Sequence, residues 1–269
     1  MTTAARADRR TTVLRTELRQ AAGSRGTAAL LLVAVVTTVL IGYVAVHSLL
    51  GLLDDGGAPL TGVDERMADL SPAHLRVGMA DVVTGSLPVL ALLSGGLVVR
   101  AHYRGHLLRL LVGRGVSRTT IAASKVLTLA VVSVVAALLT TTAGLTTSVI
   151  LADRAPAPWP TPSDVATVLA VGALSWFVWA LTGLLAAIAM RTSHAAVALA
   201  VVWLFTSGVT STLSSRDDAL GTLARLSPAT AAHEILLGSS GLSHLALVLV
   251  TPLALGAACL GLMRGSAVD

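Results

Sequence analysis

The chain has 269 residues, of which 54% are hydrophobic and 12% charged, and it carries a formal net charge of +5. A soluble domain is about 25% charged, so a soluble globular protein is excluded, and the unbroken apolar runs lack the alternating segments of about ten residues that build an outer-membrane barrel. In lipid every backbone polar group must be bonded within its own segment, which leaves an all-α integral membrane protein.

Residues 1–26 are basic, with Arg6, Arg9, Arg10, Arg15, Arg19 and Arg25 set against Asp8 and Glu17. Leu14, Leu18, Ala21 and Ala22 line one helical face, the pattern of an amphipathic interfacial helix on the inner leaflet. The apolar run at 27–53 is too long for a signal-peptide core of about 7–15 residues and reads as the first span. A polar loop with five acids follows. Ser71-Pro72 offers a helix start, and the second span is expected at 77–99, with Pro88 inside it and Asp81 near its outer end.

The segment 100–118 holds Arg100, Arg104, Arg109, Arg114 and Arg118. An arginine at the bilayer centre costs roughly 2.5–3.5 kcal/mol, so this is a loop, and its charge places it on the cytoplasmic side. A short helix is expected from Tyr103 to Val112. Tyr103, Leu107, Leu110 and Leu111 share one face and His102, His106 and Arg109 another, until Gly113 and Gly115 break it.

The third apolar stretch, 119–151, would extend about 50 Å as a helix against a hydrocarbon core of about 30 Å. It must protrude, tilt or break; Gly144 is the candidate break, and Lys125 is expected to snorkel at the inner interface. A proline-rich outer loop leads to Ser163 or Asp164 as the cap of the fourth span, 165–190. Arg191 ends that span, a tight turn follows, and the fifth span is 195–213. The stretch 214–241 is too interrupted to span and fits two short helices at, or dipping into, the outer interface. The sixth span is 242–263.

With both termini cytoplasmic, thirteen arginines fall in inner segments and five in outer ones (Arg66, Arg76, Arg154, Arg216, Arg225). The expected architecture is therefore one transmembrane domain, 1–269, of six spans, multi-pass in the cell membrane. The arginines sit beside apolar spans, so lipid and topology account for them and nucleic acid does not. Eighteen of the nineteen basic residues are arginine, which together with abundant alanine points to a GC-rich bacterial genome.

Several chemistries lack their residues. No phosphate-binding G-x-x-x-x-G-K-[ST] loop is present. His233-Glu234 begins like a zinc-protease helix, but Leu237 stands where the second histidine belongs. Ser240 and His244 lie too close on one helix for a serine–histidine dyad, and a turn accounts for them equally well. No metal site or catalytic residue is expected. The one cysteine, Cys259, forms no intrachain disulfide. Ala257 and Gly261 form a small-xxx-small pair that permits close helix contact. Asp81 is either an interfacial acid or part of a translocation path. Trp176, Trp179 and Trp203 either pack the bundle or line such a path.

Together these parts resemble the permease subunits of ABC type-2 exporters. The resemblance rests on the basic helix RTTVLRTELRQAAGSRGT before the first span and on YRGHLLRLLVGRGVSRTTIAASKVL entering the third. The six-span plan and LARLSPATAAHEILLG before the last span complete it. His102 and His106 depart from the family's acid and threonine. The resemblance implies an exporter of a drug, antibiotic, peptide or lipid, built from two permeases, identical or sibling, with two copies of a separate ABC ATPase docked beneath. ATP and Mg would be held by that ATPase, with no cofactor on this chain. It also implies a cytoplasmic coupling helix between spans two and three, carried by Tyr103, Leu107, Leu108, Arg109 and Leu111, and re-entrant outer helices before span six. An intramembrane enzyme and an ATP-independent scaffold or immunity protein are the alternatives.

Overall fold

A computed structural model of the chain describes residues 12, 15–55, 68–104, 113, 116–152, 158–214, 227–239 and 241–265. Every regular element among them is helical. A first helix, α1, covers residues 15–23. It is followed by α2 (Arg25–Thr37), a π-helical stretch Thr38–Ala45, and α3 (Val46–Asp55). Then come α4 (Leu75–Thr84), α5 (Leu87–Arg104), α6 (Arg118–Leu151), α7 (Pro162–Ala189), α8 (His194–Ser214), α9 (Pro228–Leu237) and α10 (Leu242–Gly265).

Four of these helical stretches are long and apolar enough to cross a membrane: Arg25–Leu50, Arg118–Leu151, Pro162–Ala189 and Ser243–Leu262. A fifth is made if α4 and α5 count as one bent span, and the apolar stretch His194–Phe205 of α8 is shorter. The chain is thus a multi-pass helical protein with four to five spans of sufficient length among the described residues, against the six expected. The surface agrees with lipid as solvent, because Leu32, Phe205 and Leu253 are among the large apolar side chains turned outwards.

Helix α7 is the axis of the bundle. It packs against α5, α6 and α10 most extensively, and also against α4, α8 and α9. Its start is fixed locally. Thr161 caps it, Pro162 supplies the first turn, and Asp164 accepts a bond from the Thr161 N–H, completing a capping box. The cap is therefore Thr161, not Ser163 or Asp164. At the other end Arg191 takes a left-handed φ of 53° and the Thr192 N–H reaches back to Ala187 O at 3.1 Å, so α7 turns tightly into α8.

Small residues decide how closely the helices approach. A Cβ at Gly95 of α5 would collide with the backbone of α7 at Ala180, Gly183 and Leu184, and a Cβ at Gly183 would strike Leu92 O. The two backbones touch because both positions are glycine. Next along α5, Gly96 faces α8, where a Cβ would come within 2.7 Å of the Ala196 methyl.

Two breaks differ from expectation. The second span bends by 52° between Thr84 and Leu87. The Pro88 ring excludes the carbonyl four residues back, so the helix restarts instead of continuing. By contrast α6 runs unbroken for 34 residues, through Gly144. That glycine makes room: a Cβ there would lie 2.6 Å from Met79 Sδ and 3.2 Å from the Tyr43 hydroxyl.

In 214–241 the described part holds one helix, α9; residues 215–226 lie outside the described residues. Pro228 opens α9 rather than interrupting it, Ser227 caps it, and Gly238 closes it at φ 79°. Its buried residues, Ala229, Ala231, Ala232, Ile235 and Leu236, belong to a helix that meets α4, α10 and α7.

Candidate functional site

The most unusual side chain in the bundle is Lys125. Its place near the start of a long span predicts snorkelling; instead its side chain is fully buried, about two turns inside α6. Its ammonium donates to Val98 O of α5 at 2.9 Å and faces Glu17 Oε2 of α1 at 3.6 Å. A charge removed from water needs an opposite charge and hydrogen bonds to persist. Glu17 and the Val98 carbonyl supply both, so a single ammonium ties α1, α5 and α6 together.

The local sequence explains the arrangement. On α1 the inward residues are Glu17, Leu18 and Ala21, spaced as one helical face, with the acid inside the apolar stripe. Ser24 then ends α1 and caps α2, its hydroxyl accepting from the Thr27 N–H at 3.3 Å. A cavity of about 270 Å³ lies beside the ion pair, lined by Glu17, Gln20, Ser24, Leu97, Arg100 and Thr128, among others.

The buried face of α6 is rich in hydroxyls, yet these four are already engaged. Ser124, Thr128, Ser133 and Thr140 donate to the carbonyls of Ile121, Ser124, Leu129 and Ala136, at 2.7, 2.8, 2.7 and 2.9 Å. Each is satisfied within its own helix.

At the opposite end of the bundle, Arg76 of α4 holds the end of α9. Its guanidinium donates to Ile235 O at 2.6 Å and Leu236 O at 2.8 Å, and lies 3.7 Å from Asp164. A cation on the last carbonyls of a helix satisfies orphan acceptors and meets the negative end of its dipole. One side chain thereby joins α4, α9 and the cap of α7.

The residues singled out in the sequence fall in separate places. Asp81 is exposed on α4, and among the described residues its carboxylate has no hydrogen-bond or ion-pair partner. Trp176 is buried in the core beside α7's other inward residues, and its indole N–H has no acceptor among the described residues. Trp179 and Trp203 form a pair, ring centroids 4.3 Å apart and tilted by 51°, joining α7 to α8. Tyr103 lies in the last turn of α5. Leu107, Leu108, Arg109 and Leu111 lie outside the described residues.

His244 Nδ1 accepts from the Gly241 N–H at 3.4 Å and the Ser239 hydroxyl rests on the Glu234 carboxylate, so these groups shape the turn between α9 and α10. No cluster of metal-ligating side chains occurs among the described residues. Ala257 and Gly261 are exposed, and a Cβ at Gly261 would meet nothing within 4 Å, so the pair makes no close helix contact among the described residues.

Two features carry little or no local signal. Glu17 reads as one acid in a basic helix, although its i, i+4 neighbour Ala21 already marks an inward face. The reach of Arg76 to residues 235 and 236 spans about 160 positions and leaves no trace in the nearby sequence. No protein-family model matches the chain, and a search of curated proteins returned no match.

Proposed function

We propose that this chain is the permease subunit of an ATP-driven exporter of the ABC type-2 kind, a six-span protein working as a pair with a separate ATPase docked beneath each copy. The residue-level resemblance at 100–125 and in the N-terminal helix motivates the reading. The observation that carries it is the Lys125 tie. The segment 100–118 joins α5 to α6, and at its base one buried ammonium binds both helices to α1. Both helices also pack on the central α7. A push on that segment would reach three helices at once, as a coupling region requires.

In this reading Tyr103, Leu107, Leu108, Arg109 and Leu111 contact the ATPase. Substrate would pass between two permeases, with Asp81 and the Trp179–Trp203 pair along the path. The cargo class is a drug, antibiotic, peptide or lipid. Residues 100–118 face the cytoplasm, as the arginine bias of inner segments favours.

The test is co-purification. The tagged chain is extracted gently from its native membrane and its partners are identified. A P-loop ATPase should accompany it, and a Leu108→Asp, Arg109→Glu variant should lose that ATPase while keeping its own fold. Recovery of other intact membrane complexes from the same extract, without any ATPase on this chain, would sink the proposal.

A further inference from the structure

The cavity beside the Glu17–Lys125 pair is left with one kind of charge. It lies between α1, the start of α2 and the end of α5, at about 270 Å³. Pockets for drug-sized molecules run from about 300 to 1,000 Å³, so this one suits a group no larger than a headgroup. Two of its lining residues are charged, Glu17 and Arg100. Glu17 is buried and spent on the Lys125 ammonium, so that pair brings no net charge to the cavity. Arg100 is exposed, and among the described residues it makes no ion pair. Arg15, Arg19 and Arg25 stand exposed on and just after α1, so the surrounding field is positive as well. Among the polar lining groups, the Thr128 hydroxyl is taken by the Ser124 carbonyl. The Ser24 hydroxyl accepts from the Thr27 N–H and keeps its own proton to donate.

We propose that this cavity holds the phosphate of an anionic glycerophospholipid. Arg100 takes the phosphate oxygens, whose geometry a guanidinium fork matches. The Ser24 hydroxyl and the Gln20 amide are the further donors in the lining. A headgroup ammonium finds no unspent acid here and is repelled by the arginines, so a zwitterionic lipid is held less well than an anionic one. The apolar surroundings favour a lipid over a free phosphate. Leu97 and Val98 line the α5 side. From the cavity α2 leads into the first apolar span, with Leu32, Val33 and Val36 turned outwards. An acyl chain attached to the held phosphate lies along that face. The site does not depend on whether the chain works with an ATPase.

The experiment is native mass spectrometry of the full chain, released in detergent and incubated with equimolar phosphatidylglycerol, phosphatidylcholine and diacylglycerol of identical acyl chains. The wild type should retain phosphatidylglycerol several-fold over phosphatidylcholine and should not retain diacylglycerol, which has no phosphate. Arg100→Gln should weaken the phosphatidylglycerol adduct about tenfold, the usual loss for a charge-assisted hydrogen bond. Arg15→Gln removes one charge from the same basic surface outside the cavity and should leave the adduct nearly as it was.

A third variant, Ala21→Leu, fills the cavity without altering any charge and should lose the adduct at unchanged melting temperature. Equal retention of phosphatidylglycerol and phosphatidylcholine, or an undiminished adduct in Arg100→Gln or Ala21→Leu, would overturn the proposal. So would equal weakening by Arg15→Gln and Arg100→Gln, which would show attraction to the basic surface as a whole. Displacement of the lipid by excess inorganic phosphate would overturn it too, by showing a plain anion site.

Discussion

Lys125 Nζ sits 3.6 Å from Glu17 Oε2, with one side chain fully buried and the other nearly so. The pair closes a contact between α1 and α6 more than 100 positions apart in the chain. Truncating one member of such a pair strands a buried charge and costs about 3–5 kcal/mol, whereas replacing both by neutral groups of similar volume is often tolerated. Lys125→Met or Glu17→Gln alone is therefore expected to lower the melting temperature clearly, and the double variant to recover most of the loss. A thermal-shift double-mutant cycle in detergent measures this. Additive losses would show that the two side chains do not interact.

The contact of α5 with α7 makes a sharper contrast. Gly95→Ala and Gly183→Ala each place a methyl into the facing backbone, which cannot yield as a flexible side chain would. Overpacking of this kind costs typically about 1–3 kcal/mol. Gly256 meets nothing within 4 Å, so Gly256→Ala is expected to be neutral or slightly stabilising through its helix propensity. Expression level and melting temperature of the three variants, side by side, check the difference. Equal behaviour would mean that α5 and α7 do not approach this closely.

The helices themselves are largely legible in the amino-acid order. The span Arg25–Leu50 and the lengths of α6, α7 and α10 follow from apolar runs, because in lipid an apolar run and a helix are nearly the same statement. Thr161-Pro162 and Ser227-Pro228 are helix starts of a kind that sequence can carry, but Ser163 and Asp164 compete with Thr161 for the cap, and Pro228 reads as well as an interruption. What stays hidden is long-range. Lys125 reads as a snorkelling residue because its acid lies on another helix, and Gly144 reads as a break because its real neighbour, Tyr43, comes from the first span. In so alanine-rich a chain a small-xxx-small pair is common, so Ala257 and Gly261 cannot be told from Gly95, whose partner Gly183 is set by tertiary packing.

Arg76 gives a prediction about the other end of the bundle. Its guanidinium reaches two carbonyls of α9 and the cap of α7 together, a forked geometry that an ammonium cannot copy. Arg76→Lys is expected to loosen α9, and Arg76→Met to loosen it further, since hydrogen bonds from charged groups contribute about 1.5–3 kcal/mol. Hydrogen exchange across Pro228–Leu237 reads the effect locally. Unchanged protection of α9 in both variants would show that the apolar face of α9, not Arg76, anchors it.

Tyr43 tests the π-helical stretch. A π turn takes in an extra residue, which re-phases the helix and turns Gly42 and Tyr43 towards α4 and α6. The Tyr43 ring is fully buried, packed close to Gly78 and Gly144, and its hydroxyl has no hydrogen-bond partner among the described residues. A buried polar group left unpaired costs about 1–3 kcal/mol. Tyr43→Phe keeps the ring and removes that cost, so the melting temperature should rise. Tyr43→Ala should lower it by opening a cavity, at about 3–5 kcal/mol for a lost aromatic ring. A fall in melting temperature for Tyr43→Phe would reveal that the hydroxyl has a partner, and the π stretch would then be a device for presenting that group rather than for packing the ring.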